Sequence, residues 1–268
     1  MEENLLKKIK AHKKYNTLSD DIIKKELTYF LKIKPNAKDK EIVKEVRKKL
    51  HRLYASYQIN KKKKRKNYLE KLKQGEIVLD ELLAMTLSTK ERKDDYKNIY
   101  HTIFSYTKKP KIVIDIGCGM NPLSFPLMDL EKVKYYCYDI DAADVAFLNT
   151  YFQLMKNKGL EGKAFLLDAK DETAIKKIPK SDIVFMFKLI DLLDSDKNIS
   201  EKIIEVLLNK TSFVVASFAT KTLTQKPMKL TQRRGFQKML DRKNLHYKQF
   251  NTTNELFYII HKSPNLLQ

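Results

Sequence analysis

The sequence predicts an α/β fold in which a parallel sheet carries helices on both faces and is preceded by a segment that is helical throughout. Three observations carry this. The run Ile112-Val113-Ile114-Asp115-Ile116 ends in Gly117-Cys118-Gly119, and a β-branched run that is apolar on both faces reads as a central parallel strand. After Pro110 short apolar runs alternate with helical stretches, which right-handed crossovers gather into one sheet. Before Pro110 no strand alternation occurs, and apolar residues recur at helical spacing only.

In chain order, residues 1–109 read as a basic helical domain and 110–268 as the sheet domain. Leu5, Ile9 and His12 fall near helical spacing. Ile22, Ile23, Leu27, Phe30 and Leu31 form an apolar stripe behind the start signal Ser19-Asp20-Asp21. A third helix is expected from Lys40 through Val43, Val46, Leu50, Leu53 and Tyr57, displaying Lys44, Arg47, Lys48, Lys49 and Arg52. Six consecutive cations follow: Lys61, Lys62, Lys63, Lys64, Arg65 and Lys66. A run of this kind is usually a solvated segment; next to a basic helix it is read here as contacting phosphates. Strands are expected near 111–117, 134–140, 163–168, 182–189 and 212–218. The apolar runs at 247–250 and 256–260 close the sheet as an antiparallel pair, and a helix within 228–244 carries Lys229, Arg233, Arg234, Lys238, Arg242 and Lys243.

The glycine turn permits a tight backbone reversal beneath a ligand, and ligands of such sheets sit over the C-terminal ends of the strands. Asp139 stands 22 residues after Gly117, at the tip of the next strand, where a carboxylate accepts the hydroxyl protons of a ribose. A dinucleotide fingerprint wants a third glycine, and this chain has Pro122-Leu123 instead. Asn121 as N-cap and Pro122 as first helical residue start a helix without arguing for a diphosphate. Asp115 suits a cationic ligand such as the amino group of S-adenosylmethionine, so a methyl donor is preferred to a nicotinamide. Lys188 follows the apolar run Ile183-Val184-Phe185-Met186-Phe187, where a charge needs a partner or a pocket.

The composition, 43% hydrophobic and 32% charged over 268 residues, is that of a globular protein. No run has the length of an apolar membrane span, and the start Met1-Glu2-Glu3-Asn4 lacks a secretion-signal layout, so a cytoplasmic protein is expected. Cys118 and Cys137, with five scattered histidines, offer no metal-ligand spacing, and no metal is expected; Cys118 reads as a small turn residue rather than a nucleophile. The net charge of +21 is segregated. Residues 1–110 hold 30 Lys and Arg against 15 Asp and Glu, residues 111–200 hold 12 against 14, and residues 201–268 hold 12 against 4. Basic flanks around a near-neutral centre are the layout of an enzyme acting on a polyanion.

Four segments arrive in one order: Ser88-Thr89-Lys90-Glu91-Arg92, Gly117-Cys118-Gly119-Met120-Asn121-Pro122-Leu123, Phe187-Lys188-Leu189, and Ser217-Phe218-Ala219-Thr220-Lys221-Thr222-Leu223. Together they resemble the aminoglycoside-resistance 16S rRNA (guanine-N7) methyltransferases, and the likeness extends to Lys48-Lys49-Leu50-His51-Arg52-Leu53-Tyr54-Ala55-Ser56-Tyr57. The resemblance implies a class I (Rossmann-like) methyltransferase using S-adenosylmethionine, with an N-terminal helical domain that docks on the assembled 30S subunit. It implies that Arg92 holds the methionyl carboxylate, that Gly117 and Gly119 line the methionine, that Asp139 grips the ribose, and that Asp168 and Ala169 border the adenine; Ile140 is also expected to bind the cofactor. Lys188 becomes an active-site cation that positions base or donor. Lys48, Lys49, Arg52, the six cations from Lys61 to Lys66, Lys221, Arg233 and Arg234 become RNA contacts of a chain acting as a monomer. Guanine N7 has a free lone pair, so no general base is expected, and Phe104, Tyr106, Phe125 or Phe218 are candidates to stack the base. The chain departs from the family at Asp191 and Ala219, where prolines are usual, and at Thr224-Gln225, where a glycine pair is usual, which changes the stiffness of the target-facing loop. A housekeeping enzyme acting on another rRNA or tRNA nucleotide, and a ribosome-assembly binding protein without turnover, are the alternatives.

Overall fold

A computed structural model describes residues 2–54, 64–76, 78–194, 199–222, 226–228 and 231–263. Lys61, Lys62, Lys63, Lys229 and the expected extension of the third helix to Tyr57 lie outside these residues.

The first three helices, α1 (Glu2–Lys10), α2 (Asp20–Ile33) and α3 (Asp39–Leu53), close on a core of their own built from Leu5, Ile9, Leu18, Ile23, Leu27, Val46 and Leu50. The stripe expected from the sequence supplies that core. Four further helices precede the sheet: α4 (Arg65–Lys73), α5 (Leu79–Leu83), α6 (Leu87–Arg92) and α7 (Tyr96–Thr107). Their buried residues, among them Tyr68, Leu82, Tyr96, Tyr100 and Ile103, join the core on one face of the sheet. The division at 109/110 therefore separates types of secondary structure, whereas the hydrophobic cores divide after Tyr54.

The sheet contains β1 (Ile112–Ile116), β2 (Val133–Asp139), β3 (Leu160–Leu166), β4 (Ser181–Phe187), β5 (Thr211–Ala219), β6 (His246–Asn251) and β7 (Glu255–His261). Its order is β3-β2-β1-β4-β5-β7-β6. The first five strands are parallel, and β7 runs antiparallel to both β5 and β6. The order reverses between β1 and β4, the switch point at which such sheets open a crevice. Helices α8 (Ala142–Met155), α9 (Glu172–Ile175), α10 (Ile190–Leu193), α11 (Ser200–Leu208) and α12 (Arg234–Arg242) fill the connections.

Three expectations are corrected. Strand β3 begins at Leu160 rather than near 163, because Gly162 leaves the space taken by the Phe152 ring: a Cβ there would lie 2.1 Å from it. Residues 121–127 form a 3-10 helix with Pro126 inside it, and Asn121 makes no side-chain cap; its amide turns inward instead. The last helix is confined to Arg234–Arg242.

Candidate functional site

All nine residues proposed from the sequence for donor and active site line one cavity over the C-terminal ends of β1, β2, β3 and β4: Arg92, Asp115, Gly117, Gly119, Asp139, Ile140, Asp168, Ala169 and Lys188. Ile22, Lys25 and Tyr54 enter it from the N-terminal helices, so the small helical core forms part of its wall.

The floor is the glycine turn. Gly117 and Gly119 have φ of +64° and +48°, a region L side chains rarely adopt. A Cβ on Gly117 would lie 2.8 Å from the Leu189 side chain, whereas one on Gly119 meets no atom within 4 Å. The N–H groups of Gly117 and Cys118 donate to Tyr138 O at 2.9 and 3.1 Å, and Gly119 N–H donates to Asp139 Oδ2 at 2.8 Å. Asp139 Oδ1 accepts from the backbones of Ile140 and Asp141 at 2.7 and 3.1 Å. Burial raises the Asp139 carboxyl above its ordinary value, and the three N–H donors oppose that rise. Cys118 is buried, with its thiol pushed well up by burial, which suits a turn residue and not a nucleophile.

Asp115 is 1% exposed. Its Oδ2 accepts from Asn121 Nδ2 at 2.8 Å and from Tyr135 OH at 2.7 Å, while its Oδ1 is buried without a hydrogen-bond partner. Burial pushes the carboxyl up to about 6. A buried carboxylate oxygen without a donor is costly, and an ammonium group entering the cavity would supply the missing donor. Asn121 also ties this acid to the opposite charge: its Oδ1 accepts from Tyr96 OH at 3.0 Å and from Arg92 Nη1 at 3.5 Å. One asparagine thus spaces a carboxylate from a guanidinium, the complement of a zwitterionic amino-acid tail.

Arg92 is 3% exposed, lies over the Phe187 ring at 5.1 Å, and donates from Nε to Glu255 Oε1 at 2.6 Å. A guanidinium has five donors, more than Glu255 and Asn121 take. Lys188, itself in the left-handed region at φ +54°, places Nζ 2.5 Å from Glu91 Oε2 and 3.3 Å from Glu255 Oε1. Ser217 donates to Glu255 Oε2 at 2.6 Å and accepts from Lys188 N–H at 3.0 Å. Burial would raise the Glu255 carboxyl, but Arg92 and Lys188 outweigh it and hold it below its ordinary value. Glu255 and Ser217 were missed in the sequence. The available signal was an acid fused to the apolar strand Leu256-Phe257-Tyr258-Ile259-Ile260.

At the other end of the cavity, Asp168 Oδ2 pairs with Lys25 of α2 at 2.6 Å. Its Oδ1 accepts from Lys170 N–H at 2.9 Å, and the cap of α9 is Asp171, which accepts from Ala174 N–H. Thr17 and Tyr54 donate to Asp141 Oδ2 at 2.5 and 2.7 Å, and Ser19 N–H donates to Ile140 O at 3.1 Å. These bonds fasten the helical core to the tip of β2.

The proposed RNA cations divide. Lys48, Arg52, Lys64, Lys66 and Arg234 are exposed, and Lys221 is half-buried in a bridge to Pro227. Lys49 is partly buried, 2.8 Å from Glu26 and over the Tyr29 ring. Arg65 is corrected: it is 8% exposed, pairs with Asp144 Oδ1 at 2.7 Å and lies over Phe147, so it joins α4 to α8 instead of facing solvent. Arg233 grips Asp191 with both Nη groups, at 3.2 and 3.0 Å, and also donates to Ala219 O at 3.0 Å. The four aromatics considered for base stacking are corrected too. Phe104, Phe125 and Phe218 are buried in the cores, Tyr106 lies at the end of α7, and none lines the cavity; Tyr54 and Phe187 do. Among the described residues no group of three or more His, Cys, Asp or Glu is arranged to hold a metal ion, and no helix is long and apolar enough to cross a membrane.

A seven-stranded sheet of this order, with its cavity at the β1/β4 switch, a glycine turn on its floor and acids on β1 and at the tip of β2, defines a class I, Rossmann-like methyltransferase. Residues 12–259 match the ribosomal RNA methyltransferase (FmrO) family, and the chain belongs to that family. It is 26% identical over 185 residues to a 16S rRNA (guanine(1405)-N(7))-methyltransferase of Micromonospora rosea, an alignment covering 67% of this chain and 64% of that protein. It thus spans slightly less than two thirds of that relative's length. A protein of the same description from Proteus mirabilis is 28% identical over 250 residues, with 83% and 82% covered. In three dimensions the 16S rRNA methyltransferase RmtF, solved with S-adenosyl-L-homocysteine, superposes with a TM-score of 0.80 at 19% identity, covering 98% of each chain. The 16S rRNA methylase ArmA superposes with a TM-score of 0.57 at 28% identity over 74% of this chain and 97% of that one.

Proposed function

We propose that this chain methylates N7 of a guanine in 16S-type rRNA on the assembled 30S subunit, with S-adenosylmethionine as donor, and acts in the cytoplasm as a monomer. The observation that carries the reading is the Asp115 carboxylate above the glycine turn: Asn121, which also meets Arg92, holds its Oδ2, while its Oδ1 is buried without a partner. Bound there, S-adenosylmethionine supplies a sulfonium methyl group to a nucleophile.

Each residue then has one task. Asp115 takes the ammonium and Arg92 the carboxylate, a pairing that guanidinium geometry favours. Asp139 takes the ribose, and Asp168 with Ala169 borders the adenine. N7 carries a free lone pair in neutral guanine, so the chain needs no base, and positioning is its main contribution. Lys188, paired with Glu91 and Glu255, is a positioning cation. The relatives' described specificity, guanine N7 of 16S rRNA, supports this acceptor, and the resemblance to aminoglycoside-resistance methyltransferases supports resistance as the outcome.

The test incubates the purified chain with methyl-labelled donor and, separately, 30S subunits, naked 16S rRNA and tRNA, and maps the label by reverse transcription. Label confined to one guanine of the 30S subunit is expected. Label in tRNA instead, or donor binding without transfer to any RNA, overturns the proposal in favour of a different nucleotide or of a binding protein.

A further inference from the structure

Four large apolar side chains are exposed among the described residues, and two of them, Tyr29 at 47% and Ile33 at 59%, lie one turn apart on α2. They make a patch, which isolated exposed residues do not. Tyr29 borders a groove between α2 and α3 whose far wall carries Lys48, His51 and Arg52, with Glu45 3.9 Å from Lys48 Nζ. The ring is held from one side: Lys49 Nζ lies 4.3 Å from its centroid and is itself anchored 2.8 Å from Glu26. A ring fixed on one face by a cation and exposed elsewhere, among exposed cations, combines the two parts of a single-stranded nucleic-acid site, a stacking surface and a phosphate field.

The groove is also placed for the task. Glu26 lines both it and the donor cavity, and Ile22 and Lys25, two turns and one turn before Tyr29, line the cavity alone. Helix α2 thus stands between the groove and the cavity, as a shared wall of both.

We propose that Tyr29 is a stacking platform for an unpaired nucleobase of the substrate RNA, with Lys48 and Arg52 meeting the adjoining phosphates. This rests on the chain's acting on RNA. A protein partner would use the same apolar patch without needing a planar ring, so the aromatic requirement separates the two.

The test measures 30S affinity, KM for 30S subunits and donor affinity for the full chain and for Tyr29→Phe, Tyr29→Leu and Tyr29→Ala. Thermal melts check that this exposed site leaves the fold intact. Phe should keep the wild-type values, while Leu and Ala should lose about 5- to 150-fold in 30S affinity and raise KM, with kcat and donor affinity unchanged. Irradiating the wild-type complex at 254 nm should yield a nucleotide adduct on the Tyr29 peptide. Leu performing as well as Phe, Ala without effect, or cross-links to a ribosomal protein alone overturns the proposal, as does a wild-type chain that binds no 30S subunit. A wild-type chain that binds 30S but transfers no methyl overturns the proposed activity instead, and the affinities of the variants still decide the role of Tyr29.

Discussion

Glu255 at the start of β7 accepts a 2.6 Å hydrogen bond from Nε of Arg92, a residue 163 positions earlier in the chain. The same carboxylate meets Lys188 and Ser217, so it sets the aim of the guanidinium read here as the holder of the donor's carboxylate.

Glu255→Gln keeps the shape and removes the charge. Breaking a buried ion pair costs about 3–5 kcal/mol, and Gln retains part of the hydrogen bonding, so a loss of about 2–3 kcal/mol in unfolding free energy is expected. Donor affinity should fall by about 10- to 100-fold, matching 1.4–2.7 kcal/mol of mis-aimed Arg92. Calorimetric titration with S-adenosylhomocysteine checks this; wild-type affinity in the variant would remove Glu255 from the donor site.

The Asp115 carboxyl, pushed up to about 6 by burial, gives a signed pH effect. Its folded value lies above the unfolded one, so protonation favours the fold, and the chain without donor loses stability as pH rises from about 4 to about 6, by about 3 kcal/mol at most for a shift of this size. Donor binding runs the other way, because the ammonium needs the carboxylate: affinity should strengthen as pH rises through about 6. Asp115→Asn should flatten both profiles and weaken donor binding at pH 7.5. Denaturant melts and titrations at pH 5 and 7.5 check the pair.

The described members of the six-cation run, Lys64, Arg65 and Lys66, are of two kinds. Arg65→Ala should lower stability by about 3–5 kcal/mol, because it removes the 2.7 Å ion pair of the buried Asp144 carboxylate. Lys64→Gln with Lys66→Gln, both exposed, should leave the melt unchanged, weaken 30S binding and reduce its salt slope by about 2 at most. Melts and binding isotherms at three salt concentrations separate these outcomes.

What was legible in the sequence is what the chain writes locally. The first strand, the glycine turn and Asp139 lie within one strand–turn–strand unit, and Lys188 ends an apolar run, whereas Arg92, Asp168 and Ala169 rested on the family resemblance. Pairings across the sheet were not legible. Arg92 with Glu255 and Arg65 with Asp144 join residues whose neighbours along the chain give no sign of the partner, and Arg65 sits in a run whose charge reads as surface. Asn121 was misread because its position before a proline fits an N-cap, whereas the tertiary demand of Asp115 for a donor prevailed. Gly162 hid the start of β3 because the ring it admits comes from α8.

The departures at Asp191 and Ala219 meet in space at one residue. Arg233 pairs with the Asp191 carboxylate through both Nη groups and with Ala219 O through one of them, while its guanidinium covers Phe218. Where prolines would stiffen each segment separately, a guanidinium fastens them to each other. Asp191 is half exposed, so the pair contributes little to global stability, about 1 kcal/mol at most. If the segments carrying Asp191 and Ala219 help position the target base, Arg233→Ala should leave the melt and donor affinity near wild type while lowering kcat on 30S subunits by about tenfold, because the two lose their fastening. Placing proline at both positions in that background, Asp191→Pro with Ala219→Pro, should restore part of the rate, since Pro fixes φ without a partner. If Arg233→Ala instead raises KM for 30S with kcat unchanged, and the two prolines restore nothing, Arg233 acts as a direct RNA contact and its grip on Asp191 is incidental.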